Sequence, residues 1–465
     1  MCLGGDEDVP VVHFKKHYRL TIPVIPDNLD RYRHIIRVSG ITNVAVFGGD
    51  GVCVFNEEVM GEGFPKVIDG ALERIQGPDR KADAFVDGGT VYPPAVKEEV
   101  RIVHERMASL AAGSQGELHL AYCSDESGSN DVILRSFAKG VWGNPVSVGA
   151  TKADEYAPTV VALGKGQAMV AYVSNEKGLY DIHAVVVKDG KPQRRQQLTR
   201  SRDDAMAPVL RGGDKTDPWL VWYEWAKMGN LSRDREVFAA RLRSGSWSKP
   251  IQVSPRDVPT YEDHADPVVF PDGKGGAWVA WAWDYHGTLK KKVPVDENSI
   301  FARQVTKNLE LGEVLAVGYR GEGRARDYAP TLAVTPEGMA WVAWDNSHKA
   351  SLGYDAKAIF VNRLEGKDFG EQVEAAVNKG AIDSPRLLLD PKGGLNLVWC
   401  QEAGDGWELW SRKVAPGAMG EACKLAVKGK KPRYPTGCYA SDGKLWVTYT
   451  EAGSPRWEVR VESVD

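Results

Sequence analysis

APTLAVTPEGMAWVAW, residues 329–344, reads as two short strands joined by a tight reversal. APTLAV is an apolar run, and TPEG supplies the Pro and Gly of a turn. MAWVAW alternates large and small side chains with the period of two that a strand requires. Further on, AIFVNRL (358–364) makes a third strand, and in an earlier unit a Gly turn leads to KPIQVS (249–254) as a fourth.

The unit recurs, and two independent markers keep one register. The aromatic that ends the second strand stands at Tyr122, Tyr172, Trp222, Trp281, Trp344, Trp399 and Tyr449, at intervals of 50, 50, 59, 63, 55 and 50. The Pro that opens each unit stands at Pro158, Pro208, Pro267, Pro330, Pro385 and Pro435, at intervals of 50, 59, 63, 55 and 50. Four short strands per unit with no helical period define a blade of a β-propeller, and hence an all-β fold class. The aromatics are expected to fill the wedges between blades.

Seven units lie between about 107 and 465, and the last ends at its third strand, WEVRVESVD (457–465). Residues 41–98 also fit the template. ITNVAVFGGDGVCVF (41–55) matches strand–turn–strand, and AFVDGGTVYPPAV (84–96) matches AARLRSGSWSKPIQV (239–253). This predicts eight blades, with HYRLTIPV (17–24) closing the ring and removing its exposed edge. The domains are then 1–25, an N-terminal segment with the closing strand, and 26–465, one propeller. The alternative is seven blades closed by EVRIVHE (99–105).

Composition agrees. The 465 residues include 49 Gly, 26 Pro and 15 Trp, a turn-rich and aromatic-rich content. With 59 Lys+Arg against 63 Asp+Glu the net charge is −4, which argues against nucleic acid as a partner. No apolar run reaches the roughly 18 residues of a transmembrane helix. The six cysteines form no CxxC pair and read as small buried hydrophobes. Cys2 precedes Leu-Gly-Gly-Asp-Glu-Asp, as at the start of a mature bacterial lipoprotein. This sets the expectation of a lipid anchor at Cys2 and an extracytoplasmic location, periplasmic or cell-surface.

The hairpins YCSDESGSNDVILR (122–135) and YVSNEKGLYDIHA (172–184) resemble the Ser-Asp/Asn-Arg-x-Gly-x-x-Asp-Ile-Tyr repeat of TolB-like propellers. EGMAWVAWD followed by an Ile/Val-x-x-x-Arg strand resembles the blades of bacterial secreted TolB-like and sialidase-like propellers. The resemblance implies the architecture. Glu126 and Glu176 stand where the TolB repeat has Arg, and the Ser-x-Asp-x-Gly-x-Thr-Trp box of sialidases is absent, so sialidase activity is not implied.

Symmetry fails in one sector. From the marker aromatic to the polar residue that opens the third strand is 9 residues for Tyr122–Asp131, Tyr172–Asp181, Trp399–Glu408 and Tyr449–Glu458. It is 14 for Trp222–Glu236, 18 for Trp281–Ser299 and 14 for Trp344–Ala358. The lead-ins 254–266 and 318–329 are long as well, as is the insert 56–82. The residues there suit a catalytic funnel: His264, Asp263, Tyr328, Arg326, Asp327 and His286 nearest the channel mouth. Tyr156, Glu224, Trp225, Trp283, Asp284, Tyr285, Asp345, His348, Arg433 and Tyr434 are candidates to bind substrate. Aromatic faces stack on sugar rings and carboxylates bind hydroxyls, which points to a carbohydrate ligand.

Two chemistries stay open. A glycoside hydrolase needs two carboxylates, with Asp263, Asp327, Glu224 and Asp284 available. A polysaccharide lyase needs a base, a Tyr or His proton donor and an Arg facing the uronate, with His264, Tyr328, His286 and Arg326 available. The rival is a non-catalytic sugar-binding or protein-interaction scaffold. No cofactor is expected, since no phosphate loop or βαβ unit is present, and no HxH or HExxH spacing supports a metal.

Overall fold

In the computed structural model, the described residues are 105–464 apart from 150, 201–203, 214–215, 229–231, 256–262, 286–296, 319–326, 347–356, 405 and 453–456, together with 2–4, 24–26, 43–47 and 53–58. The chain divides into two compact units, Met1–Arg101 and Ile102–Asp465. In the first, Cys2–Gly4 pairs in parallel with Val24–Pro26, and Asn43–Phe47 forms an antiparallel hairpin with Cys53–Glu58.

The second unit is a seven-bladed β-propeller. The inner strands are Glu105–Ala112, Glu155–Gly164, Ala205–Gly213, Asp263–Pro271, Asp327–Val334, Ile382–Leu389 and Pro432–Tyr439. Each starts an antiparallel sheet that steps outward in chain order. The expectation of eight blades is corrected. Leu110, Leu118, Leu120 and Tyr122 of the first blade pack directly on Ala440, Cys438, Trp446, Val459 and Val461 of the seventh, and the Phe137 and Trp446 rings lie 5.1 Å apart. That contact closes the ring with no room for another sheet. The hairpin foreseen at 41–55 does form, but as a two-stranded sheet in the first unit. Strand–turn–strand patterning specifies a hairpin, not the sheet it joins. Residues 17–23 and 99–104, the two proposed closing segments, lie outside the described residues except at Val24 and Glu105.

The period of two sorts each second strand into its interfaces. In Ala277–Tyr285, the odd positions Ala277, Val279, Trp281 and Trp283 pack with Trp219, Val221 and Val237 of the third blade. The even positions Trp278, Ala280 and Ala282 pack with Leu332, Val342 and Trp344 of the fifth. All seven marker aromatics are buried, as expected of wedge fillers. Cys123 and Cys400 are buried free thiols, Cys438 is half-buried and Cys423 is exposed.

Every inner strand carries the same irregularity. One residue is inserted in its ladder, and beside it stands a non-glycine residue with positive φ: Met107, Ala157, Ala207, Asp266, Ala329, Ser384 and Tyr434, at φ between 47° and 56°. In six blades the next residue is the repeat Pro. The Pro that marks the repeat therefore sits in a β-bulge, which bends the strand and re-aims the side chains before it. Past the bulge, hydroxyls tie inner strands together: Ser109 Oγ accepts from Val160 N at 3.2 Å, Thr159 Oγ1 from Leu210 N at 3.0 Å and Thr331 Oγ1 from Leu387 N at 3.1 Å.

Candidate functional site

The start of each inner strand pairs with the end of its second strand, which pairs with the start of the third. Glu155, Ser174 and Asp181 are one such row. Lead-ins and hairpins therefore share one face. In the regular blades, acids on that face are used to hold it together. Asp154 Oδ1 accepts from Asn130 N at 3.2 Å and Asn130 Nδ2 at 3.0 Å, and Asp204 Oδ1 accepts from Tyr180 N at 2.7 Å. Each caps the hairpin of the preceding blade. Asp263 is the residue at the same repeat position in the fourth blade.

Several candidate residues serve the core. The indole of Trp222 donates to Glu224 Oε1 at 2.8 Å, and that of Trp399 to Gln401 Oε1 at 2.9 Å, each two residues on. In the fourth blade that place is taken by Trp283, which has no acceptor. His264, 1% exposed, substitutes: its Nδ1 accepts from Trp281 Nε1 at 3.0 Å, and its ring lies 4.9 Å from that of Trp283. This bond leaves any single imidazole proton on Nε2. His264 is thus enclosed by aromatics.

The fifth blade breaks the pattern. Asn346 stands at the acceptor position for Trp344, yet its Nδ2 donates to Asp327 Oδ1 at 2.5 Å, and the buried Trp344 Nε1 has no hydrogen-bond partner. Asp327 is fully buried, and a Cβ on Gly318 would stand 2.5 Å from its Oδ2, so only glycine admits the carboxylate there. Tyr328, the next residue, is half-buried and lies opposite Asp345, which is buried.

The structure extends the second–third ladders to unequal heights. They stop at Ser124↔Asp131 and Ser174↔Asp181 in the first two blades but run to Tyr285↔Glu297 in the fourth and Met228↔Ser232 in the third. The segment 223–235, foreseen as a loop, is mostly ladder. It stands four residues higher than in the second blade, roughly 13 Å at the strand rise. On it the Arg235 guanidinium lies over Tyr223 at 5.5 Å and Trp225 at 5.3 Å. In the fourth blade Asp263 and Asp284 are directly opposed across the ladder. Tyr285 follows, opposite Glu297.

A second cluster spans the sixth and seventh blades. The Arg433 guanidinium lies over Trp407 at 3.5 Å, beside Tyr434 at 5.1 Å, and its Nη2 meets the buried Asp383 Oδ2 at 3.3 Å. Asp383 Oδ1 also accepts from Ser384 Oγ at 2.7 Å and Cys400 Sγ at 3.0 Å. Burial, with the Asp383 carboxylate beside it, holds the Cys400 thiol well above its ordinary range. Tyr156 is half-buried, with its hydroxyl 3.4 Å from Asn130 Nδ2. His286, Arg326 and His348 lie outside the described residues, and Asp263, Asp284 and Tyr285 are described by their backbone alone. Arg235 and Trp407 were missed. The signal for Trp407 was an aromatic just inside an otherwise tight hairpin, and for Arg235 a basic residue in the enlarged one.

These features define a propeller with one raised face, and known structures agree on the fold. A structure of the polysaccharide lyase PL25, ulvan lyase, superposes with a TM-score of 0.54 at 11% identity, over 78% of this chain and 94% of that one. The same enzyme bound to -[GlcA(1-4)Rha3S]- gives 0.53 at 11% identity, over 78% of this chain and 94% of that one. An α-L-arabinanase of Penicillium chrysogenum complexed with arabinobiose gives 0.46 at 13% identity, over 66% and 92%. No known family model matches the chain, and no curated protein does. The neighbours above a TM-score of 0.5 include this polysaccharide lyase, at an identity that speaks for the fold alone. No helix among the described residues is long and apolar enough to cross a membrane.

Proposed function

We propose that the propeller binds an acidic poly- or oligosaccharide across its raised face and cleaves it there. The observation that carries this reading is the ladder of the third blade, which rises roughly 13 Å above its neighbour's and so walls one side of the channel mouth. Ordering extra chain costs conformational entropy, and packing between blades does not require it. The wall presents Arg235 against Tyr223 and Trp225. Arginine forks pair with carboxylate or sulfate, and the buried Tyr223 and Trp225 back the guanidinium in place.

For cleavage, the opposed Asp263 and Asp284 supply the paired carboxylates of a hydrolase. Tyr328, half-buried at the mouth beside the lead-in that contains Arg326, supplies the proton exchange of a lyase. His264 and Asp327 position neighbours in this reading, because both are buried. The hairpin motif supports a TolB-like or sialidase-like relationship, and Cys2 a lipid anchor outside the cytoplasm.

The second reading, a non-catalytic scaffold, is favoured by one observation: His264, Asp327 and Asp345 are all buried. The test is a panel of acidic and neutral polysaccharides. Binding is followed by affinity electrophoresis and turnover by unsaturated or reducing ends. Arg235→Ala should weaken binding at least tenfold. Asp284→Asn should abolish reducing-end release with binding kept if the enzyme is a hydrolase, and Tyr328→Phe should abolish unsaturated product if it is a lyase. Binding without turnover by the wild type would establish the scaffold.

A further inference from the structure

Opposite the wall of the third blade, the same face carries a second guanidinium. Arg433 stands at the start of the inner strand of the seventh blade, and Trp407 at the start of the third strand of the sixth. Both starts lie on the hairpin face, so this pair shares the face of Arg235. In a ring of seven, the sixth and seventh blades lie across the mouth from the third.

How Arg433 is held decides what it can do. Its guanidinium lies over the Trp407 ring at 3.5 Å and 5.1 Å from the Tyr434 ring. One nitrogen, Nη2, meets Asp383 Oδ2, at 3.3 Å. A carboxylate that fully satisfies an arginine takes two arms of the fork in two short bonds. Asp383 is buried and its Oδ1 is already committed, accepting from Ser384 Oγ at 2.7 Å and from Cys400 Sγ at 3.0 Å. The guanidinium makes no other hydrogen bond among the described residues. Its Nε is buried without a partner, and Nη1 belongs to a side chain that is 19% exposed. The carboxylate thus fixes the arm, the indole backs it, and donor capacity is left over at the mouth. Stacking on an indole steadies a cation without consuming its donors.

The neighbouring residues agree. Tyr434 is the bulge residue of its strand, at φ 54°, and the seventh blade alone has an aromatic ring there. A bulky side chain at positive φ is strained, and such strain gathers at ligand sites. One residue before the bulge, Arg106 holds in the first blade the place that Arg433 holds in the seventh, and those two blades pack directly together. The ring therefore sets two arginine positions side by side in this sector.

We propose that Arg433, backed by Trp407, is a second anion subsite of the raised face, taking a carboxylate or sulfate of the saccharide on the side of the mouth opposite Arg235. This rests on the reading that the face takes an acidic saccharide, and it narrows the ligand class. A chain that reaches both arginines carries acidic groups on at least two of its sugars.

The test is affinity electrophoresis of the full chain in polygalacturonate, dextran sulfate and neutral dextran at several salt concentrations. The first two polymers separate carboxylate from sulfate. Arg433→Gln should weaken binding of the preferred acidic polymer by about tenfold, the worth of one hydrogen bond to a charged group. It should also flatten the dependence of affinity on salt, because an ionic contact is lost. An arginine with a structural role only would lower the melting temperature and leave the salt dependence as it is. Arg433→Gln strands the buried Asp383 charge, so the double variant Arg433→Gln with Asp383→Asn is measured beside it; it removes both charges and should show the same loss of binding. If both variants bind like the wild type while Arg235→Ala is weakened, the subsite falls and the raised-face reading stands. If the wild type binds neither acidic polymer, both fall.

Discussion

The second and fourth blades answer the same structural demand with different residues. Two positions before the bulge residue, the second has Glu155 and the fourth His264. In the second, the marker Tyr172 donates its hydroxyl to Val148 O at 3.2 Å, and Glu155 Oε1 accepts from Thr151 Oγ1 at 2.6 Å and Ser174 Oγ at 3.4 Å. In the fourth, Ser174 is replaced by Trp283, and His264 turns to satisfy Trp281 instead. The unusual histidine is the repeat's own solution to an indole without an acceptor. The real departure begins one residue later. The second blade has already turned at Ser174↔Asp181, while the fourth continues through Asp284 and Tyr285. Below that level the polar residues Glu155 and His264 are buried in the core.

The comparison breaks most readily at the wedge. Trp281→Ala should cost about 3–5 kcal/mol, the range for truncating a buried aromatic. His264→Ala should cost about 2–3 kcal/mol, because it leaves the Trp281 indole without an acceptor in a dry interface. His264→Asn, which keeps an acceptor near the Nδ1 position, should recover part of that loss. Chemical denaturation measures all three. If His264→Ala were as stable as the wild type but inactive on a polysaccharide, His264 would belong to the site and not to the core.

That outcome also bears on what could be read before the fold was known. The Pro and aromatic markers were legible because each answers a local requirement, a bulge and a wedge, that recurs unchanged. The blade count was not, because ring closure rests on Leu110 and Tyr122 meeting Ala440, a contact between chain ends that no local pattern encodes. Hairpin length foretold the tall ladder of the third blade but not the others: the fifth stops at Asn346↔Ala358 despite its long hairpin, and the sixth runs to Ala403↔Gly406 despite its short one. The role of His264 was hidden because it depends on what Trp283 cannot do. The clue was in the chain: at that position other blades have Ser124, Ser174, Glu224, Asn346, Gln401 and Glu451, all polar.

Acid–base behaviour sharpens the comparison with a smaller effect. Burial pushes the Glu155 carboxyl up to about 7 from 4.5, aided by Asp131 and opposed by the Thr151 hydrogen bond and Arg195; its Oε2 has no hydrogen-bond partner. A carboxyl raised on folding contributes stability that is complete below pH 4.5 and lost as pH rises through about 7. His183, in the same blade, is held down to about 4 from 6.5 by burial and Arg195, so its contribution is present above pH 6.5 and lost as pH falls through about 4. The two oppose each other between those limits. Glu155→Gln should therefore uncover a rise in melting temperature from pH 4 to about 6.5 that Glu155 offsets in the wild type. His183→Gln should uncover a decline from pH 4.5 to about 7. A wild-type profile unchanged by Glu155→Gln would mean that the carboxyl is ionised in its wedge.

The smallest effect concerns a feature that every blade shares. Ala157, at φ 47°, and Ala329, at φ 48°, sit in a backbone region that disfavours any Cβ. Glycine removes that strain, worth roughly 1–2 kcal/mol per residue. It also loosens the unfolded chain, which takes back roughly 0.4–1 kcal/mol. Ala157→Gly and Ala329→Gly should then be neutral or stabilising by up to about 1.6 kcal/mol, while Ala157→Val, with a branched side chain at positive φ, should be plainly destabilising. The two glycine variants should also agree with each other, because the bulge recurs in every blade and is architecture. A stability gain at Ala329→Gly accompanied by lost polysaccharide binding, with Ala157→Gly unaffected, would give a different result: the bulge ahead of Pro330 would then be holding Tyr328 in place for the ligand, and the strain stored there would be functional.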